Sequence, residues 1–128
     1  MLQNESILRV ADNSGAKKIL VIRCLGGSNR RYSRIGDLVV ATVKKVEANS
    51  EKVKKGQIVK ALIVTTRRYF HRQNDTWIKF NENYAVLIEK KEEKKWLPIV
   101  VTRVFVPLLA EFGQWGHKKI FSLAPEVL

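Results

Sequence analysis

Leu38-Val39-Val40-Ala41-Thr42-Val43-Lys44-Lys45-Val46 and Gln57-Ile58-Val59-Lys60-Ala61-Leu62-Ile63-Val64-Thr65-Thr66 decide the fold class. Both runs are rich in Val, Ile and Thr, whose branched side chains suit a pleated, half-buried strand. Turn residues precede each run: Ile35-Gly36-Asp37 leads into the first and Lys55-Gly56 into the second. Further strands lie on either side. Ile7 to Val10 ends at the dense turn signal Asp12-Asn13-Ser14-Gly15, and Lys18 to Leu25 ends at Gly26-Gly27-Ser28-Asn29. Trp77 to Phe80 and Tyr84 to Ile88 are shorter and are joined by Asn81-Glu82-Asn83. Strands that follow one another without an intervening helix pattern predict a mainly β protein, a small antiparallel barrel or sandwich. Val39, Val43, Ile58, Leu62 and Val64 are the expected core positions of the two deciding strands.

The chain has 128 residues, which fits one domain, and 45% of them are hydrophobic, which is enough for a core. That composition excludes a disordered basic tail. The apolar run Leu97 to Val101 is interrupted by Pro98 and is too short to span a bilayer. Met1 to Glu5 reads as neither a secretory signal nor a transit peptide. The expectation is a protein that stays where it is made, or one whose presequence is missing from this chain. Cys24 is alone and lies in an apolar strand, so a buried small hydrophobe is expected rather than a reactive thiol.

The formal net charge is +12. Between Arg30 and Lys79 many Lys and Arg stand against only Asp37, Glu47, Glu51 and Asp75. A compact domain with this charge repels itself unless a polyanion neutralises it. Nucleic acid is the first candidate, because each cation placed on a phosphate releases a condensed counterion.

Enzyme chemistry finds no support. His71 and His117 have no ligand partners at metal-binding spacing, so no metal site is expected. Ser14 lacks a nucleophile elbow, and Gly26-Gly27-Ser28 lacks the spacing of a phosphate-cradling loop. Asp12 and Asp37 sit in turns, where Asp bonds its own backbone. No set of nucleophile, base and orienting group emerges, and no cofactor or small-molecule substrate is expected.

Three basic turns carry the binding reading. In Gly26 to Tyr32 two glycines permit close backbone approach, Arg30 and Arg31 offer forked phosphate contacts, and Tyr32 offers a stacking face. Lys52, Lys54 and Lys55 form a second turn, and Arg67, Arg68 and Arg72 a third with Tyr69 and Phe70 among them. Lys17, Arg34, Lys44 and Lys79 complete the expected RNA-binding set. Glu89 to Lys95 is a mixed-charge run and reads as a solvated hairpin tip or linker. Pro107 to Phe112 suits one or two helical turns beginning at the proline and broken by Gly113 and Gly116. Ser122 to Glu126 suits the start of another.

The motifs resemble those of the large-subunit ribosomal protein 14 family. Val10 to Ala16 matches the family's VADNSGA, Leu25 to Tyr32 its LGGS-x-RRY, and Ile35 to Asp37 its GD turn. Lys52 to Gly56, Lys60 to Val64, Thr102 to Phe105 and the ending Ser122 to Leu128 follow in the family's order. The match covers nearly the full length.

The resemblance implies a closed five-stranded antiparallel β-barrel with a β-hairpin extension and a C-terminal region of short helices. Residues 1–128 then form one ribosomal-protein domain, with the barrel and its basic loops in 1–101 and the short-helix region in 102–128. It also implies binding to large-subunit ribosomal RNA and a place near the face that meets the small subunit. There such proteins touch small-subunit RNA at an intersubunit bridge, large-subunit ribosomal proteins 3 and 19, and a silencing factor that blocks subunit joining. Family positions used by that factor map onto Thr102, Arg103 and Lys119.

The chain also departs from the family pattern. Asn74-Asp75 replaces an Asp-Gly turn, and the loop from Glu89 to Trp96 is longer. Val106 to Phe112 is more apolar than the family segment, and Trp115 stands where relatives are polar. An apolar patch marks a protein interface, so Leu109 and Trp115 join Thr102, Arg103 and Lys119 as expected protein-docking residues. The same feature points to a mitochondrial, organelle-encoded ribosomal protein, with plastid and bacterial origins as alternatives. Two rival functions make different demands: a freestanding barrel binding single strands would expose aromatics on a sheet face, and an RNA-modifying enzyme would need an acid–base or metal set.

Overall fold

Ile58 to Thr65 shows how this chain builds two cores from one sheet. The computed structural model describes residues 6–11, 15–25, 32–48, 53–72, 75–88, 104–114 and 128. Its strands are β1 (Ile7–Val10), β2 (Ala16–Cys24), β3 (Leu38–Val46), β4 (Ile58–Thr65), β5 (Phe70–His71), β6 (Trp77–Ile78) and β7 (Tyr84–Ile88), followed by a single helical turn, α1 (Glu111–Gln114). β1, β2, β3, β4 and β7 close into a barrel in that order, and β5 pairs with β6 as a separate ribbon. The expected five-stranded barrel with a hairpin extension is what forms. Its seams are antiparallel except β1–β7, where Arg9 meets Tyr84 and Val10 meets Ala85 in parallel. Closure leaves the five barrel strands without an unpaired edge to template aggregation.

Side chains alternate across a strand. Val39, Ala41 and Val43 of β3 point inward and meet Val59, Ala61 and Ile63 of β4, with Leu8, Ile19, Val21, Cys24, Ala85 and Leu87 completing the barrel interior. Cys24 is buried, as expected for a small hydrophobe. The opposite face of β4 and β7 is also dry. Leu62, Val64, Val86 and Ile88 form a second core outside the barrel with Ala11, Ile35, Val104, Leu108, Leu109 and Phe112. From Ala61 onward β4 is therefore buried on both faces, which explains its unbroken apolar run.

This arrangement corrects three of the core expectations. Val39 and Val43 do line the barrel, but Leu62 and Val64 belong to the outer core. Ile58 is 67% exposed. It shares the outward face with Leu62 but lies at the start of β4, beyond the cover that shields Leu62.

The cover comes from two places. The β5–β6 ribbon packs Phe70, Ile78 and nearby Phe80 onto the outer core. The segment from Val104 to Phe112 supplies the rest, anchored where Phe105 N donates to Ala11 O at 2.7 Å. The ribbon turns through Asp75, whose φ of 62° is left-handed. Asp tolerates that conformation better than most residues.

The C-terminal helix begins later than the sequence suggested. Leu108 sits in an isolated bridge, and its carbonyl accepts from Leu128 N at 2.9 Å. That fixes the residues after Pro107 outside a helix, so α1 starts at Glu111 and runs through Gly113. Leu108, Leu109 and Phe112 are fully buried. The expected hairpin tip at Glu89 to Lys95 and the terminal helix from Ser122 lie outside the described residues.

Candidate nucleic-acid interface

β2 carries two adjacent lysines, and regular alternation would turn one of them inward. Both Lys17 and Lys18 are exposed instead. The β2–β3 register shifts on each side of Lys18, and such a bulge turns successive side chains to the same surface. Lys44 and Lys45 are likewise both exposed on β3. Register then aligns like charges: Arg9 faces Lys18, and Lys18 faces Lys45. Cations directly opposite one another destabilise a sheet. Glu82 lies 3.8 Å from Arg9, with both side chains well exposed, so it offsets little of this repulsion.

The Lys54–Lys55 turn is tied to the same end of β3. Gly56 N donates to Val43 O at 2.8 Å, and Val43 N donates to Gln57 O at 2.9 Å. Gly56 has φ of +87°, which suits glycine and aims both lysines outward. The barrel thus carries an end dense in exposed lysine: 17, 18, 44, 45, 54 and 55, with Arg9 beside them.

A second basic region surrounds the β5–β6 ribbon. Arg34 belongs to a tight turn in which its N–H donates to Asp37 Oδ2 at 2.7 Å, as expected of a turn aspartate. Arg68, Lys79 and Tyr32 are exposed. Arg67 is partly occupied: its Nε donates to Asn81 O at 3.0 Å, and its guanidinium lies 3.7 Å from Glu82. On the outward face of the ribbon, His71 stacks on Trp77 and Lys79 sits over Tyr69.

Two of the expected site residues are engaged within the chain. Arg72 is committed within the chain, donating to Glu111 Oε1 at 2.8 Å and to Leu128 O at 2.9 Å. Leu109, expected on a docking surface, is wholly buried in the outer core. The apolar face predicted from Pro107 to Phe112 is used to cover the barrel. Phe105, two residues before that segment, is a large apolar side chain left exposed, at 58%. Arg30, Arg31, Lys52, Thr102, Arg103, Trp115 and Lys119 lie outside the described residues.

The basic turns read from the sequence do not single out Arg9, Lys18 or Lys45. The doublets Lys17-Lys18 and Lys44-Lys45 were the available signal. Both members of each pair face solvent because of local strand irregularity, which composition does not encode. The sequence does not reveal His71 and Trp77 as an aromatic pair, because Phe70 and His71 lie within a basic turn pattern.

A closed barrel with cations aligned at one end is the frame in which the sequence motifs sit. The family model for ribosomal protein L14p/L23e matches residues 1–128. The chain belongs to the ribosomal protein L14p/L23e family. As an L14p/L23e protein it is a structural component of the large ribosomal subunit, and the family is not one of enzymes. Among the described residues no cluster of His, Cys, Asp and Glu has the makings of a metal site.

Proposed function

We propose that this L14p/L23e protein binds large-subunit ribosomal RNA through the lysine-dense end of its barrel. The row Arg9, Lys18, Lys45 carries the reading. Three cations in cross-strand register cost the free protein stability and become favourable only against closely spaced phosphates. Lys17, Lys44, Lys54 and Lys55 extend the contact, and Arg34, Arg68 and Lys79 form a second one. Arg30, Arg31, Tyr32 and Lys52 join through the family's basic turns.

Near the small subunit, the protein touches small-subunit RNA at an intersubunit bridge and neighbours large-subunit proteins 3 and 19. A protein-docking surface centres on exposed Phe105, with Thr102 and Arg103 just before it in the chain and with Trp115 and Lys119. A silencing factor that blocks subunit joining is the regulatory partner for that surface. The compartment is the mitochondrion, with plastid and bacterial cytoplasm as the alternatives.

Sedimentation of the tagged protein tests the assignment. It is expected to migrate with large subunits and to stay with them through high-salt washing. Recovery only from the soluble pool at the top of the gradient would overturn it. Fractionation of organelles in the same experiment assigns the compartment.

A further inference from the structure

The ribbon formed by β5 and β6 has two unlike faces. Phe70 and Ile78, which are cross-strand partners, pack inward onto the outer core. The next pair, His71 and Trp77, faces outward, and their rings stack with centroids 4.5 Å apart and planes 20° from parallel. His71 Nε2 is also 3.2 Å from Asp75 Oδ1, which holds the imidazole from its edge. Next along the same face, Lys79 Nζ lies 5.0 Å from the centroid of the Tyr69 ring. These contacts occupy one face of each ring and still leave the residues largely open: Tyr69 is 64% exposed and Trp77 62%.

Large aromatic rings gain much from burial, and the inward face of the same ribbon is buried. The outward rings also border a groove of about 410 Å³, whose walls include Arg34, Thr66 and Arg68 together with Ile35 and Phe70 from the outer core. That volume lies within the range of sites for small organic groups, roughly 300–1,000 Å³. Among the described residues, none that lines the groove is acidic. Flat π-faces next to guanidinium groups match one chemical unit well: a planar base carried on a phosphodiester chain.

We propose that this groove holds an unpaired nucleobase of RNA, stacked on the Trp77 and Tyr69 rings with Arg34 and Arg68 on the flanking phosphates. The proposal rests on the RNA-binding reading above and sharpens it. Paired bases inside a helix offer no free π-face, whereas bulged or looped bases do. The ribbon therefore selects an unpaired position in the RNA, while the lysine-dense end of the barrel binds backbone without regard to pairing. Stacking tolerates any base, so no sequence preference is required.

The test uses the full chain and two labelled oligomers of equal length and charge, oligoadenylate and an abasic ribose-phosphate chain, with binding read by fluorescence anisotropy at one salt concentration. The wild type is expected to bind oligoadenylate at least roughly five-fold more tightly, the lower end of one base–aromatic stack. Trp77→Ala should bring oligoadenylate down towards the abasic value and leave the abasic affinity unchanged. Trp77→Phe, which keeps a ring, should restore most of the difference. Trp77 is mostly exposed, so these variants are expected to melt as the wild type does. An unchanged preference in Trp77→Ala overturns the base site while leaving RNA binding intact. Equal wild-type binding of both oligomers also overturns it, and marks the surface as purely electrostatic. Failure to bind either oligomer overturns the RNA-binding reading and the base site with it.

Discussion

Arg72 reaches from the β5–β6 hairpin to Glu111 at the first position of α1, with a guanidinium–carboxylate distance of 2.8 Å. The two side chains are only 19% and 12% exposed. The contact joins the two elements that cover the outer core. It has a single arm: Arg72 Nε and Glu111 Oε2 make no hydrogen bond among the described residues.

Replacing Arg72 by alanine leaves the Glu111 carboxylate without its partner. The expected cost is about 1–3 kcal/mol, between the values for exposed and buried pairs. Urea unfolding measures it. The double variant Arg72→Met, Glu111→Leu removes both charges and should lie within about 1 kcal/mol of wild type. If the double variant loses as much as the single one, the pair matters for shape rather than for charge compensation.

Two residues of β4 separate the buried from the open part of its outer face. Leu62→Ala is expected to cost about 2–5 kcal/mol, from lost transfer energy and the cavity left in the outer core. Ile58→Ala, at a site 67% exposed, should change stability by no more than about 0.5 kcal/mol. Similar losses at both positions would show that the cover extends over the start of β4.

The hairpin turn depends on a left-handed residue. Asp75→Val places a β-branched side chain at φ of 62° and should cost about 1–2 kcal/mol. Asp75→Gly should be neutral or stabilising, because the contact it loses, to His71, is exposed and of little value. Amide exchange in β5 and β6 reports both. Equal protection in the two variants would contradict the turn conformation.

Lys18 stands between Arg9 and Lys45. If its role is to meet RNA, Lys18→Ala should leave the free protein as stable as before or more stable, by about 0.2–1 kcal/mol. A marked loss of stability in the isolated protein would assign Lys18 a structural role instead.

The sequence shows the barrel strands well, for a local reason. β3 and β7 begin and end where Val, Ile and Thr give way to turn residues, and Leu38–Val46 and Tyr84–Ile88 were read with those bounds. β5 was not legible, because two residues between cations carry no periodicity. The side of the barrel on which Leu62 lies was not legible either. An apolar run buried on both faces has no alternation to read, and the cover arrives from residues some forty positions later in the chain. For the site, charge and basic turns were visible, but the alignment of Arg9, Lys18 and Lys45 depends on a register set by a bulge. Arg72 looked like any other surface cation until Glu111 and Leu128 were placed beside it.

The salt dependence of RNA binding tests the central claim most directly. Affinity for a ribosomal RNA fragment is measured from low to physiological salt for the wild type and for Lys17, Lys18, Lys44 and Lys45 replaced together by alanine. Each phosphate contact contributes roughly 0.9 to the slope of log K against log salt for a duplex. The account predicts that the slope of the quadruple variant is shallower by about 3.6 units if each lysine meets one phosphate, with the fold intact by circular dichroism. A folded variant with the wild-type slope would contradict the claim that this end of the barrel carries the RNA.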